Sequence, residues 1–115
     1  MSDLEDLQKR IVAFRDARDW KQFHNAKDMA VALNLEAAEV LEHFLWKTNE
    51  EGIEHIQKHR KEVGEELADT LYWVLLMAHD LDIDIHQAFL DKMEQNEAKY
   101  AVEKAKGKHT KYTEL

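Results

Sequence analysis

Two pairs of acidic residues carry the chemistry this sequence could perform. Glu36 and Glu39 stand three apart in one stretch, and Glu66 and Asp69 repeat that spacing in another. On a helix, residues three apart share a face with Cβ atoms about 5–6 Å from each other, so each pair presents two carboxylates side by side. Brought together, the pairs would form an oxygen-only cage, which suits Mg²⁺, with Mn²⁺ as a substitute, better than zinc. Two ions about 3.5–4 Å apart in such a cage can activate water and neutralise the charge of phosphoryl transfer. A single ExxE pair is common on solvated helix faces, and solvated charge or capping is the plainer alternative. Placement argues for more, because Glu66 and Asp69 border the most apolar run of the chain, Leu67 to Ala78, where an unpaired carboxylate is costly to bury.

Other side chains could serve such a site. Lys92, Asn96 and Tyr100 follow one another at one-turn intervals on an otherwise apolar face, a row that could reach phosphate and sugar oxygens. A snorkelling Lys92 is the alternative there. Trp20, Phe23, Trp46 and Trp73 could wall a base-stacking pocket or simply fill the core. Among seven histidines, His55 and His59 have i, i+4 spacing but no evident third ligand, and they read as surface residues. The chain has no cysteine, hence no thiolate chemistry and no cysteine-based zinc site. It also lacks a glycine-rich phosphate loop or nucleophile elbow.

The elements that must position these residues read as helices throughout. Leu4, Leu7, Ile11 and Phe14 give an apolar stripe over Ser2 to Arg18, with Ser2 as N-cap and Glu5 at the capping-box spacing. A second helix, Lys27 to Trp46, carries Ala30, Leu33, Ala37, Val40, Leu41 and Phe44 inward, and Thr48 to Gly52 reads as a turn. A third runs from Ile53 to Asp80, with a break expected near Gly64 because an interior glycine is unfavourable. Its second half is apolar nearly all round and must be surrounded. A fourth spans Asp84, a candidate N-cap, to Glu103. The expected fold is all-α: a four-helix bundle-like protomer whose main core is completed by oligomerisation. One domain would cover residues 1–103, and the lysine-containing segment 104–115 would be a basic tail.

Composition supports this class and excludes others. At 44% hydrophobic and 35% charged, with 3 Gly and no Pro, the chain is poor in the turn residues a sheet protein needs. A net charge of −8 disfavours binding to a nucleic acid polymer. The acidic start, Met1 to Asp6, differs from the basic n-region of a signal peptide, and no stretch has the ~18 apolar residues of a membrane span. A cytoplasmic protein is the simplest reading.

Together these stretches resemble the MazG-type all-α nucleotide pyrophosphohydrolases, and within them the dCTP-pyrophosphatase-like branch. The resemblance rests on Arg18-Asp-Trp-Lys-Gln-Phe-His24, on the ExxE helix Leu35 to Trp46, on Glu65-Glu-Leu-Ala-Asp69, and on Lys92-Met-Glu-Gln-Asn-Glu-Ala-Lys-Tyr100. It implies Mg²⁺-dependent hydrolysis of a nucleoside triphosphate, preferably a deoxynucleotide such as dCTP, between its α and β phosphates, as nucleotide-pool house-cleaning. Glu36, Glu39, Glu66 and Asp69 would be the magnesium ligands. Trp20, Phe23, His24, Lys27, Trp46, Trp73, Lys92, Asn96 and Tyr100 would bind the substrate. The family assembles as dimers or dimers of dimers, so a homodimer or homotetramer is implied. Asp28 stands where the branch often has Asn, Ala26 and Ala101 replace frequent prolines, and Trp73 replaces a common Tyr, which leaves the preferred base open. Rival readings are a non-catalytic, antidote-like helical partner and a phosphoribosyl-ATP-type pyrophosphohydrolase.

Overall fold

A computed structural model describes residues 3–114. Among them are five α-helices, two 3₁₀ turns and no strand, as the all-α expectation requires. The Ser2 cap lies outside the described residues. The chain divides into two compact units, Met1–Asp82 and Ile83–Leu115, and each is described by itself. No helix among the described residues is long and apolar enough to cross a membrane.

In the first unit, α1 (Asp3–Ala17) and α2 (Ala26–Glu42) both pack against the long α3 (Asn49–Asp80). Helix α1 closes where Asp19 turns left-handed (φ 53°), a conformation a short polar side chain tolerates. The Trp20 N–H then bonds the Arg15 carbonyl at 3.2 Å. A 3₁₀ turn, Lys21–Phe23, leads to Asn25, whose side chain caps α2 by accepting from the Asp28 N–H at 2.9 Å.

Three boundaries differ from the sequence reading. Helix α2 stops at Glu42, four residues early, and the chain turns through His43 to a left-handed Trp46 (φ 67°) that no α-helix accommodates. The expected turn at Thr48 to Gly52 is instead the start of α3. Thr48 Oγ1 accepts from the Glu51 N–H, and the Glu51 carboxylate accepts from the Thr48 N–H, a reciprocal capping box. Gly52 is a buried residue of the first helical turn, where a Cβ would meet Phe44 at an ordinary contact distance of 3.5 Å. The break in α3 falls at His59 (φ −127°, ψ 30°), while Gly64 stays helical with open space where a side chain would be.

The core of this unit centres on Met29, Leu75, Leu76 and Ala78. In the apolar second half of α3, Leu75, Leu76 and Ala78 are therefore buried, but Leu67 (55% exposed) and Leu71 are not. The least expected core member is Arg15, 1% exposed. Its guanidinium donates twice to Asp80, at 2.6 and 2.8 Å, which joins α1 to the end of α3. Gln8 adds a second tie, donating to the Leu75 carbonyl at 2.8 Å.

In the second unit, Asp84 caps α4 (Ile85–Lys99) by accepting from the Gln87 N–H. Helix α4 ends at Lys99, four residues before the expected Glu103, with Tyr100 as its cap, and a separate short helix, α5 (Val102–Ala105), follows. Tyr100 and Tyr112 meet edge-on at 6.0 Å, and the Lys99 ammonium lies 4.7 Å from the Tyr112 ring centre. The expected tail thus contains α5 residues and a 3₁₀ turn, Tyr112–Glu114.

Candidate metal and nucleotide site

Helices α2 and α3 run side by side in the first unit and bring three of the four predicted carboxylates together. One oxygen each from Glu36, Glu39 and Glu66 lies within 4.8 Å of the others. Asp69, one turn beyond Glu66, is outside that triplet but lines the same cavity as Glu36. Among the described residues, no lysine or arginine forms an ion pair with any of the four.

The electrostatics follow from that crowding. Glu66 has its pKa pushed up to about 7, first by a hydrogen bond to Glu39, then by burial and the charges of Glu39, Glu36 and Asp69. Burial raises Glu36 above its ordinary value, with the Glu39 charge, a Glu39 hydrogen bond and Asp69 adding to it. One buried oxygen of Glu36 and one of Glu66 have no hydrogen-bond partner. Buried polar atoms are rarely left unpaired. Orphaned carboxylate oxygens converging without a protein cation are the donor set a hard divalent ion requires. The residues present fit such an ion.

A cavity of about 510 Å³ opens beside the cluster, within the usual range for a small-molecule site. Glu36 and Asp69 form its acidic wall, and Phe14, Trp20, Tyr72 and Trp73 form an aromatic one. The rings touch in edge-to-face series: Trp20 on Phe14 at 5.6 Å, Phe14 on Tyr72 at 6.4 Å and Tyr72 on Trp73 at 5.2 Å. Half-buried His24 meets Trp73 edge-on at 5.4 Å, and its Nδ1 lies 3.5 Å from Arg15 Nη1. A guanidinium can only donate. In this contact Nδ1 can serve only as the acceptor.

Of the residues the sequence nominated, Trp20 and Trp73 line the cavity, and His24 contacts Trp73 beside it. Phe23 (66% exposed) and Trp46 (93% exposed) are outside it, and Lys27 is exposed on the first turn of α2. Lys92, Asn96 and Tyr100 lie along α4 and its cap in the second unit, with Asn96 half-buried and the other two exposed. Phe14, Tyr72 and Arg10 also line the cavity and were not nominated. Tyr72 had a signal in the sequence: it follows Asp69 by three residues, the i, i+3 spacing that defines the acidic pairs. Phe14 had none, because it completes the α1 stripe as a core residue would.

Comparison with known proteins adds an independent line. A family model described as the MazG-like family matches residues 31–115. The dCTP pyrophosphatase 1 of Mus musculus is 35% identical over 114 residues, which takes in 97% of this chain and 67% of that protein. The Homo sapiens protein of the same name is 36% identical with the same coverage. Among solved structures, a pyrophosphatase from Archaeoglobus fulgidus superposes with a TM-score of 0.82 at 36% identity, covering 88% of this chain and 94% of that one.

Proposed function

The chain belongs to the MazG-like family and is a nucleotide pyrophosphatase, and from that premise we propose that it cleaves dCTP or a related deoxynucleoside triphosphate. The products would be the monophosphate and pyrophosphate, and the cofactor Mg²⁺. The carrying observation is the carboxylate triplet, with two partnerless buried oxygens, opening beside an aromatic cavity. Membership of an enzyme family sets aside the reading as a non-catalytic partner protein.

Glu36, Glu39, Glu66 and Asp69 would hold the cation. When bound, Mg²⁺ supplies charge neutralisation for the phosphates and lowers the pKa of water. The chain's own contribution is placement. Phe14, Trp20, Tyr72 and Trp73 surround a flat base and keep water from it, and His24 stands edge-on beside Trp73. Arg10 sets positive charge on the cavity wall against a polyphosphate. Holding substrate and nucleophile in line removes much of the entropic barrier without covalent participation by the protein. Lys92, Asn96 and Tyr100 are assigned to phosphate and sugar on their spacing and on the resemblance. Large apolar side chains left exposed on both units, among them Leu67, Leu71, Phe89 and Met93, support assembly as a homodimer or homotetramer.

The test is a panel of the dNTPs, the NTPs and phosphoribosyl-ATP with Mg²⁺, read by release of pyrophosphate against phosphate. Pyrophosphate and monophosphate from a deoxynucleotide are expected. Release of single phosphate, or no turnover with any of them, would sink the proposal. Glu39→Gln and Asp69→Asn should each abolish turnover in a folded protein.

A further inference from the structure

The cluster does not use the histidines that gather behind it. His43 is the first residue past α2, and its backbone N–H still bonds helix carbonyls at Val40 and Leu41. His55 sits half-buried in the second turn of α3. Their rings face across the α2–α3 junction with His43 Nδ1 and His55 Nε2 2.8 Å apart. Phe44 backs both, at 6.3 Å from the His43 ring and 6.0 Å from the His55 ring. His59 stacks on His55 at 4.5 Å. The pair opens on a cavity of about 410 Å³ that Glu39, Glu42 and Glu66 also line.

We propose that His43 and His55 form a second, nitrogen-based site for a borderline divalent transition ion such as Ni²⁺, Cu²⁺ or Zn²⁺, distinct from the oxygen-only cluster. Imidazole nitrogens bind such an ion at about 2.0–2.1 Å. Two of them at right angles about one ion are then about 2.9 Å apart, by the metal–nitrogen lengths above. The hydrogen bond of the metal-free pair holds the two nitrogens 2.8 Å apart, close to that spacing, so a turn of the rings suffices to aim both lone pairs at the ion. In the metal-free pair, one facing nitrogen holds a proton and the other a lone pair; as the ion binds, the proton-bearing ring changes tautomer, its proton passing through water to that ring's other nitrogen, so that both rings bind as neutral imidazoles. Burial, with the His59, Lys47 and His43 charges, holds the His55 pKa below its ordinary value against an opposing pull from Glu62, so its lone pair is available at neutral pH. Water completes the coordination through the open side of the cavity. Hard Mg²⁺ avoids imidazole where oxygen is offered, so the two sites sort ions by chemistry.

The test is calorimetric titration of the full chain with Ni²⁺ in excess Mg²⁺. One Ni²⁺ per chain is expected, weakened tenfold or more by His43→Gln and by His55→Gln, and changed less than threefold by His59→Gln or Glu36→Gln. Absence of Ni²⁺ binding, or binding that survives both His43→Gln and His55→Gln, would overturn the site. Loss in His59→Gln equal to that in His43→Gln would overturn it too, by moving the ligands to the i, i+4 pair. Should a variant fail to fold, imidazole ¹⁵N spectra of the wild type with Zn²⁺ decide the matter. The His43 and His55 signals must move while those of His24 and His86 stay; movement of the latter pair alone refutes the assignment. Neither readout involves nucleotide turnover, so failure here leaves the proposed hydrolysis standing, and the reverse.

Discussion

Replacing Arg15 with Met gives the sharpest check on how the first unit is held together. The guanidinium is 1% exposed and the Asp80 side chain 11% exposed, and two short hydrogen bonds join them. Removing one partner of a buried pair costs about 3–5 kcal/mol, because the other charge is left without compensation. Asp80 keeps some water, so Arg15→Met should cost about 3 kcal/mol, the lower end of that range. At about 4 °C per kcal/mol for a chain of this size, Tm falls by roughly 12 °C. Urea unfolding at pH 7 reads the free energy directly. The pair also sets a pH dependence. The Arg15 hydrogen bonds hold the Asp80 pKa below its ordinary value, against some opposition from burial. Its stabilisation is therefore complete above about pH 4 and is lost as pH falls through the depressed folded value. The gap between wild type and Arg15→Met should narrow over that acidic window. The double variant Arg15→Met/Asp80→Leu, with no charge left to strand, should recover to within about 1 kcal/mol of wild type. A loss below about 1 kcal/mol for Arg15→Met at pH 7, the scale of an exposed ion pair, would refute the reasoning.

Other outcomes follow from local structure. Gly64→Ala should stabilise by up to about 1 kcal/mol, since Gly64 is helical and nothing lies where the methyl would go; a loss of stability would mean that the helix is not regular there. Thr48→Ala should cost about 1 kcal/mol by removing half of the capping box, measured by urea unfolding. Mg²⁺ at about 100 times its dissociation constant should raise stability by about 2.7 kcal/mol, and Glu39→Gln should abolish the effect. An equal shift in both proteins would place the ion elsewhere. Light scattering on the purified chain should give a dimer or tetramer mass; a monomer would remove the assembly proposal.

The acidic pairs were legible because metal chemistry and helical geometry impose the same spacing. Glu36, Glu39 and Glu66 converge with nothing more than an i, i+3 rule and a packed helix pair to guide them. Asp84 was recognisable as a cap for the same local reason. Thr48 carried an equally local signal, Thr-Asn-Glu-Glu, but Gly52 directly after it suggested a turn, although the residue lies within the helix. Arg15 was illegible because its burial depends on Asp80, far along the chain. The break at His59 has no glycine or proline to announce it, and we have no physical account of it. His43 escaped notice because its partner, His55, is twelve residues away, across a helix boundary that the sequence placed too late.

The uninterrupted run of α3 from Glu66 to Asp80 has a consequence for how the gene can change length. Along this rod lie a carboxylate of the triplet, the Trp73 wall, the Leu75–Leu76 core and the anchor for Arg15. Deleting one residue between them would rotate everything beyond by about 100° and draw it in by about 1.5 Å. Either the core or the acidic site would then face the wrong way, and no single substitution restores both. Insertions and deletions are expected to survive instead at residues 43–47, where the chain already leaves helical geometry.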